Sequence, residues 1–394
     1  MIPSSIKSRK CITALLCLFG SASLSVAACA KEPETGRVPP ASDAPIAYLI
    51  DLTNGQVLHE RAADRRFVPA SVTKVMTLYQ AFELIEDGAL DPAQVMEVSP
   101  DVTREWQGKG STMFLEVGMQ VQLGELLTGI ANVSANDAAA LVAIKQAGSV
   151  QAWTASMTAT AHELGMVNSH FATPNGWPDE GRTFTTARDL GILARAMVSR
   201  HPRKFARYIG RPTFTFNNIT QSNHDPLLGK VKGADGIKTG YTNEAGFGFL
   251  GTATRGGQRL ALVLAGVARK NLRARLAQDY MEWGFNAFDR VRLFGEGQSV
   301  GVARVQNGSS RSVELVADGP IAVNLAKGSM REVNAKIVYD GPLRAPIAAG
   351  DEVAVLQITV EGMQDIQIPL KAKTGVGEAG IWARISNSIA GLFA

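Results

Sequence analysis

The sequence predicts an α/β chain of the α+β kind. An antiparallel sheet and a helical lobe form its larger part, and a small all-β domain follows. Three observations carry this. Hairpin signals stand near both ends of the larger part: strands over 46–52 and 56–60 meet around Asn54-Gly55, and a strand-rich stretch over 235–266 turns at Gly256-Gly257. Segments with helical periodicity fill the interval between them. From about Val291 onward short alternating strands are separated by turn formers such as Asn307-Gly308, Asp318-Gly319-Pro320 and Asp340-Gly341-Pro342. The two hairpins are expected to share one sheet with helices packed on it.

Composition bounds the answer. The chain has 394 residues, 45% hydrophobic and 19% charged, which suits a globular protein of two domains once a targeting segment is set aside. A net charge of +4 is small for this length, and no basic run with interleaved aromatics appears, so no nucleic-acid partner is expected. Residues 1–30 read as a signal peptide. Lys7, Arg9 and Lys10 precede an apolar stretch over 11–19, and Ala28-Cys29-Ala30 offers small residues for a cut. Val26-Ala27-Ala28-Cys29 also resembles the lipobox of bacterial lipoproteins, which would leave a lipidated Cys29. A transmembrane anchor is the third reading, but the apolar stretch is short for a span. All three cysteines, Cys11, Cys17 and Cys29, lie in this segment. A mature chain without them has no disulfide to rely on and no thiol chemistry. Residues 31–43, with Pro33, Pro39 and Pro40, read as a flexible leader.

The larger domain is expected over 44–288. Val72, Val75, Met76, Tyr79 and Phe82 recur at helical spacing, and Gly88 offers a stop, so a helix is expected over 71–86. Residues 101–113 are polar and glycine-bearing and read as a loop. Helices are expected over 123–131 and 138–145, interrupted by residues 132–137, then over 150–165, over 185–200 with Thr186 as cap, and over 272–288. The β-rich domain is expected over 291–371, from strands over 302–305, 313–316, 321–324, 332–339, 352–359 and 366–370, a sandwich by its alternation. Over 376–394, Ile381, Ile385, Ile389 and Leu392 fall on one stripe of an amphipathic helix, flanked by Trp382 and Phe393.

Chemistry is concentrated at three places. Ser71 and Lys74 are one turn apart on the 71–86 helix, so hydroxyl and amine can touch. A serine attacks only when a base takes its proton, and a desolvated neutral lysine can do so. Ser134-Ala135-Asn136 sits in the interrupted helix pair, and Lys238-Thr239-Gly240 opens the long hairpin. Alone, a Ser-x-x-Lys is weak; three motifs in order, each in a suitable setting, are far more specific.

The set resembles the signature of penicillin-binding proteins and class A β-lactamases. More narrowly, Gly236-Ile237-Lys238-Thr239-Gly240-Tyr241-Thr242, Pro69-Ala70-Ser71 with Lys74-Val75-Met76-Thr77, and Leu164-Gly165-Met166 with Phe171 and Pro174-Asn175-Gly176 resemble low-molecular-mass penicillin-binding proteins, the serine-type D-alanyl-D-alanine carboxypeptidase family. The resemblance covers roughly residues 44 to 370. It implies a penicillin-binding-protein/β-lactamase-like catalytic domain whose partners are peptidoglycan pentapeptides ending in D-Ala-D-Ala and, as covalent inhibitors, β-lactams. Ser71 would attack a carbonyl, Lys74 take its proton and Ser134 protonate the leaving amine. Asn136, Lys238, Thr239, Gly240 and Tyr241 would bind substrate, with backbone N–H groups of Ser71 and Tyr241 as an oxyanion hole. It also implies an exported, periplasmic protein lying on the inner-membrane surface through its C-terminal helix. Ala135 stands where this family usually has Gly, and its methyl is expected to narrow the cleft.

Other features read as structural. Lys373-Thr374-Gly375 repeats the third motif but lacks its flanks and is expected to be linker. His162-Glu163 suggests a zinc protease, but position 166 is Met166, so no metal and no cofactor are expected. Glu163 is expected on a solvated face. Arg273 belongs to a basic run that is usually solvated, with carboxylate binding as its alternative role. A D,D-endopeptidase or a β-lactamase would share this scaffold. A non-catalytic peptidoglycan-binding protein would not need Ser71, Lys74, Ser134, Asn136 and Lys238 intact.

Overall fold

The computed structural model describes residues 43–380 and, as backbone, the strand Ser23–Ala27. The rest of the expected signal peptide and leader, and residues 381–394 of the expected terminal helix, lie outside the described residues. Contacts divide the chain into two units, one drawn from 36–53 and 58–285, the other from 1–35, 54–57 and 286–394.

The larger unit is built on a five-stranded antiparallel sheet. Its order is Gln56–Arg61, Ile46–Asp51, Gln258–Val267, Gly246–Arg255, Ala234–Thr242, so the first and last hairpins do meet. Leu262 lies opposite both Leu49 and Gly251, and Lys238 opposite Leu250. The Ala234–Thr242 strand is the open edge, and it carries the third motif.

The helix Lys74–Glu86 is buried over its whole first half, from Lys74 to Phe82. A helix apolar on one side only would expose its other face; this one is packed by the helices Leu123–Asn132 and Val150–Glu163. The helix Ala187–Arg200 starts at the expected cap, where Thr186 Oγ1 accepts from Asp189 N at 3.1 Å.

Local differences have physical causes. Ser71 lies in a 3₁₀ turn, Ala70–Thr73, and the α-helix begins only at Lys74. Ala70 has φ +48°, which turns the chain sharply, and Val72 N donates to Pro69 O at 3.1 Å. Residues 100–106, expected mostly as loop, form the helix Pro100–Trp106, with Pro at the first position where its missing N–H costs nothing. Asn136 belongs to the second helix, Asn136–Ala147, and not to the interruption before it. The helix Lys270–Asn286 stops short of Phe288, which opens a strand, Phe288–Phe294. A short helix, Pro202–Tyr208, and a hairpin, Thr213–Phe216 with Ile219–Ser222, were not expected. Asn217 and Asn218 form the tight turn of that hairpin with φ of +47° and +61°, a conformation Asn tolerates.

The smaller unit is all β. A seven-stranded sheet and the two-stranded pair Phe288–Phe294 with Ile321–Ala326 enclose one core that includes Val313, Leu315, Val323, Leu356 and Ile358. Glu332–Val338 is buried at every second residue, as alternation requires. Ser23–Ala27 pairs antiparallel beside that strand. The expected terminal helix does not begin at Val376. Val376 is buried and bonds Ile347 in both directions at 2.9 Å, and Ala379 N donates to Asn307 O at 2.8 Å. An apolar Val between two glycines can lie extended against the core, and residues 376–380 do so.

Candidate active site

Three segments of the larger unit converge on one cavity of about 490 Å³, lined among others by Ser71, Ser134, Asn136, Thr239, Gly240 and Tyr241. Ser71 comes from the 3₁₀ turn. Ser134 and Asn136 come from the break between two helices. Thr239 to Tyr241 come from the open sheet edge.

Lys74 lies beneath Ser71 and is fully buried. Its Nζ is 2.9 Å from Ser71 Oγ, 2.7 Å from Asn136 Oδ1 and 2.7 Å from Asn175 O. Asn136 Oδ1 and Asn175 O can only accept, so they take N–H bonds from the amine. A neutral amine then has its lone pair left for the Ser71 hydroxyl, which donates. Burial pushes the Lys74 pKa well below the usual lysine value, and the charge of Lys238 pushes the same way; Asp137 opposes them. A neutral amine in contact with a hydroxyl can take its proton.

The surrounding polar groups are fixed. Asn136 Nδ2 donates to Lys109 O at 3.0 Å, and Asn136 N to Ser111 O at 2.8 Å. Asp137 accepts from the backbone N–H of Met113 at 3.0 Å and of Leu115 at 3.1 Å, pinning the loop that forms the rim. Burial raises the Asp137 pKa, and these backbone bonds restrain the rise. Ser134 has φ +64°, a left-handed conformation that is strained for serine and is held by its packed surroundings.

On the opposite wall Lys238 is buried and donates to Thr239 O at 3.1 Å. Burial, then the charge of Arg273, bring its pKa down to about 7, with Asp225 opposing. Tyr241 is half exposed; its ring stacks on Phe247 at 4.2 Å, and its hydroxyl donates to Asn243 Oδ1 at 2.8 Å. Gly240 lies against the Ser71 turn: a Cβ there would meet Pro69 O at 2.6 Å and Val72 Cγ2 at 3.2 Å. Gly176 is tighter still, since a Cβ would sit 1.8 Å from Ala70 O.

All eight expected site residues therefore come together at or directly beneath one cavity. Arg273 is not on a solvated face: it is buried and lines the same cavity. Ala135 does not narrow the cleft. Its methyl is fully buried, and the cavity is lined by Ser134 and Asn136 on either side of it. Glu163 is exposed, Lys373-Thr374-Gly375 belongs to the smaller unit, and neither is among the residues that line the cavity. Asn175 and Asp137 were not singled out as contacts; Pro174-Asn175-Gly176 was the available signal for the first. Among the described residues no three His, Cys, Asp or Glu side chains are grouped to hold a metal.

Residues 33–268 match the D-alanyl-D-alanine carboxypeptidase family, and residues 288–378 match the C-terminal domain of penicillin-binding protein 5. The chain is 32% identical over 359 residues to the D-alanyl-D-alanine carboxypeptidase DacA of Escherichia coli K12, covering 90% of this chain and 89% of the relative. It resembles the crystal structure of penicillin-binding protein 5 from Haemophilus influenzae at 30% identity and TM-score 0.74, covering 87% of this chain and all of that one. It also resembles penicillin-binding protein D2 of Listeria monocytogenes in its ampicillin-bound form, at 28% identity and TM-score 0.56, over 62% of this chain and 98% of that one.

The Gly240 contact is testable by itself. Gly240→Ala should push the edge strand and the Ser71 turn apart and cost about 1–3 kcal/mol, the usual range for overpacking. A denaturant midpoint equal to that of the parent would mean that the two segments are not in contact.

Proposed function

The chain belongs to the D-alanyl-D-alanine carboxypeptidase family, and on that premise we propose which of its residues perform the reaction. The activity is that of a serine hydrolase removing the terminal D-alanine of peptidoglycan stem peptides. Ser71 is the nucleophile. Its Oγ attacks the carbonyl of the penultimate D-alanine while its proton passes to Lys74 Nζ. The backbone N–H groups of Ser71 and Tyr241 receive the oxyanion. Ser134 delivers its proton to the departing amine of the last D-alanine and is reprotonated at the expense of Lys74, leaving a neutral Lys74 and an acyl-enzyme on Ser71. Water then hydrolyses the ester, the proton relay runs in reverse, and Ser71 is released.

Binding follows from the walls. Asn136 orients the scissile amide, and the backbone beside Gly240 and Tyr241 runs along the peptide. Lys238 and Thr239 meet the free carboxylate, and Arg273 adds a second cation on that side. The observation that carries the reading is the buried Lys74 amine 2.9 Å from Ser71 Oγ with its other contacts occupied by acceptors. β-Lactams offer the same carboxylate and a strained amide, so they acylate Ser71 as well. Among the described residues, none that lines the cavity is acidic. The β-lactamase alternative therefore lacks a carboxylate base of the class A kind for rapid deacylation.

The reaction is tested with a pentapeptide ending in D-Ala-D-Ala, followed by mass spectrometry. The parent enzyme should release one D-alanine. Ser71→Ala should lower turnover by on the order of 10⁶ and form no adduct with benzylpenicillin. A stable penicilloyl adduct on Ser71→Ala would remove Ser71 from the role.

We propose further that the protein acts in the periplasm, attached to the inner-membrane surface through the segment 381–394. The support is the apolar stripe of Ile381, Ile385, Ile389 and Leu392 with Trp382 at its edge. Among the described residues no helix is long and apolar enough to cross a membrane. Truncation after Gly380 keeps Val376 in the β core and should move the protein to the soluble fraction. Retention at the membrane by the truncated protein, with release by Cys29→Ser, would assign the anchor to a lipid.

A further inference from the structure

Asp225 is a partly buried acid that the proposed steps do not use. It sits on a strap between two parts of the site. On one side, Asp225 N donates to Asn223 Oδ1 at 2.9 Å, and Asn223 Nδ2 reaches Asn132 Oδ1 at 3.3 Å, at the end of the helix preceding Ser134. On the other, Gln278 Nε2 donates to Pro226 O at 3.0 Å, and Arg273 approaches His224 O at 3.5 Å, both from the helix Lys270–Asn286. Asp225 Oδ1 accepts from Leu227 N at 2.8 Å. Its Oδ2 is buried without a hydrogen-bond partner, and so is Arg273 Nε. A buried, unspent carboxylate oxygen on a strap that Arg273 reaches at the adjacent His224 O points to a charge kept for electrostatic work.

Resting on the reading of Lys238 and Arg273 as the carboxylate side of the cavity, we propose that Asp225 is a positioning residue for substrate recognition. Its carboxylate keeps Lys238 protonated and offsets the buried charge of Arg273, so that the two cations capture the free C-terminal carboxylate of the peptide.

The electrostatics agree in sign. Burial lowers the pKa of both Lys238 and Arg273, and each feels Asp225 as the opposing, stabilising neighbour. Burial lifts Asp225 itself to about 6, so at neutral pH it is still mainly ionised. The other groups facing this cluster are cationic or neutral: Lys74 from its helix, Lys270 beside Arg273, and His224, whose pKa burial and these cations lower. Removing the Asp225 charge leaves Lys238 among cations, and its ammonium then loses its proton at lower pH.

The test is the pH profile of kcat/KM for the pentapeptide acid, with the C-terminal amide as comparison. Asp225→Asn keeps the size of the side chain and an acceptor for Leu227 N. It should move the alkaline limb down by roughly one pH unit, within the range one opposite charge imposes, through KM and not kcat. Asp225→Glu should restore part of the profile. An unmoved limb in Asp225→Asn overturns the inference, as does an equal loss at every pH in both variants. If Asp225→Asn fails to fold, Asp225→Ser, which also removes the charge, decides: a limb lowered through KM supports the inference, and a parental limb overturns it. Lys238→Ala tests the reading beneath. Loss of preference for acid over amide upholds that reading, whereas retained preference removes it and this inference together.

Discussion

The structure depends on one constraint: an amine has been placed where water cannot reach it. A buried ammonium would carry a desolvation cost of several kcal/mol, and the site is arranged so that Lys74 need not be charged. Two oxygens that can only accept, Asn136 Oδ1 and Asn175 O, hold its N–H groups. The nearby positive charge of Lys238 adds to the pressure toward neutrality. What remains is a lone pair directed at Ser71, which is the requirement for a serine nucleophile without a histidine.

That requirement extends into the backbone. The amine must be reached from three segments distant in sequence, and each approaches through an unusual conformation. Ala70 at φ +48° and Ser134 at φ +64° are strained non-glycine positions, and both adjoin or line the cavity. Gly176 permits the backbone of the Asn175 segment to touch Ala70, and Gly240 permits the sheet edge to lie on the same turn. The surrounding helices and sheet supply the packing that holds these positions in place. Asp137, through its bonds to the Met113 and Leu115 backbone, fixes the rim in the same way.

Much of this was legible in the sequence because it is local or periodic. Ser71 and Lys74 are one turn apart, the hairpins carry turn dipeptides, and the strands of the smaller unit alternate. The parts that escaped are set by distant partners. Asn175 O meets Lys74 across 101 residues, and Asn223 meets Asn132 across 91. Arg273 read as one member of a basic run, yet its helix turns it into the cavity. Val376 fell within the range expected for the terminal helix although the apolar stripe begins only at Ile381, and its pairing with Ile347 decides otherwise. Pro100–Trp106 was obscured by its polar composition, although Pro100 at the first helical position was a usable sign.

The central claim concerns the protonation of one side chain, and nuclear magnetic resonance of ¹⁵N-labelled lysine measures it directly. The Lys74 signal is assigned by its loss in Lys74→Ala and followed through a pH titration of the folded enzyme. The account predicts a neutral amine that gains its proton only well below the usual lysine value of 10.5. A Lys74 that titrates with the exposed lysines would contradict it, and Ser71 would then need another base.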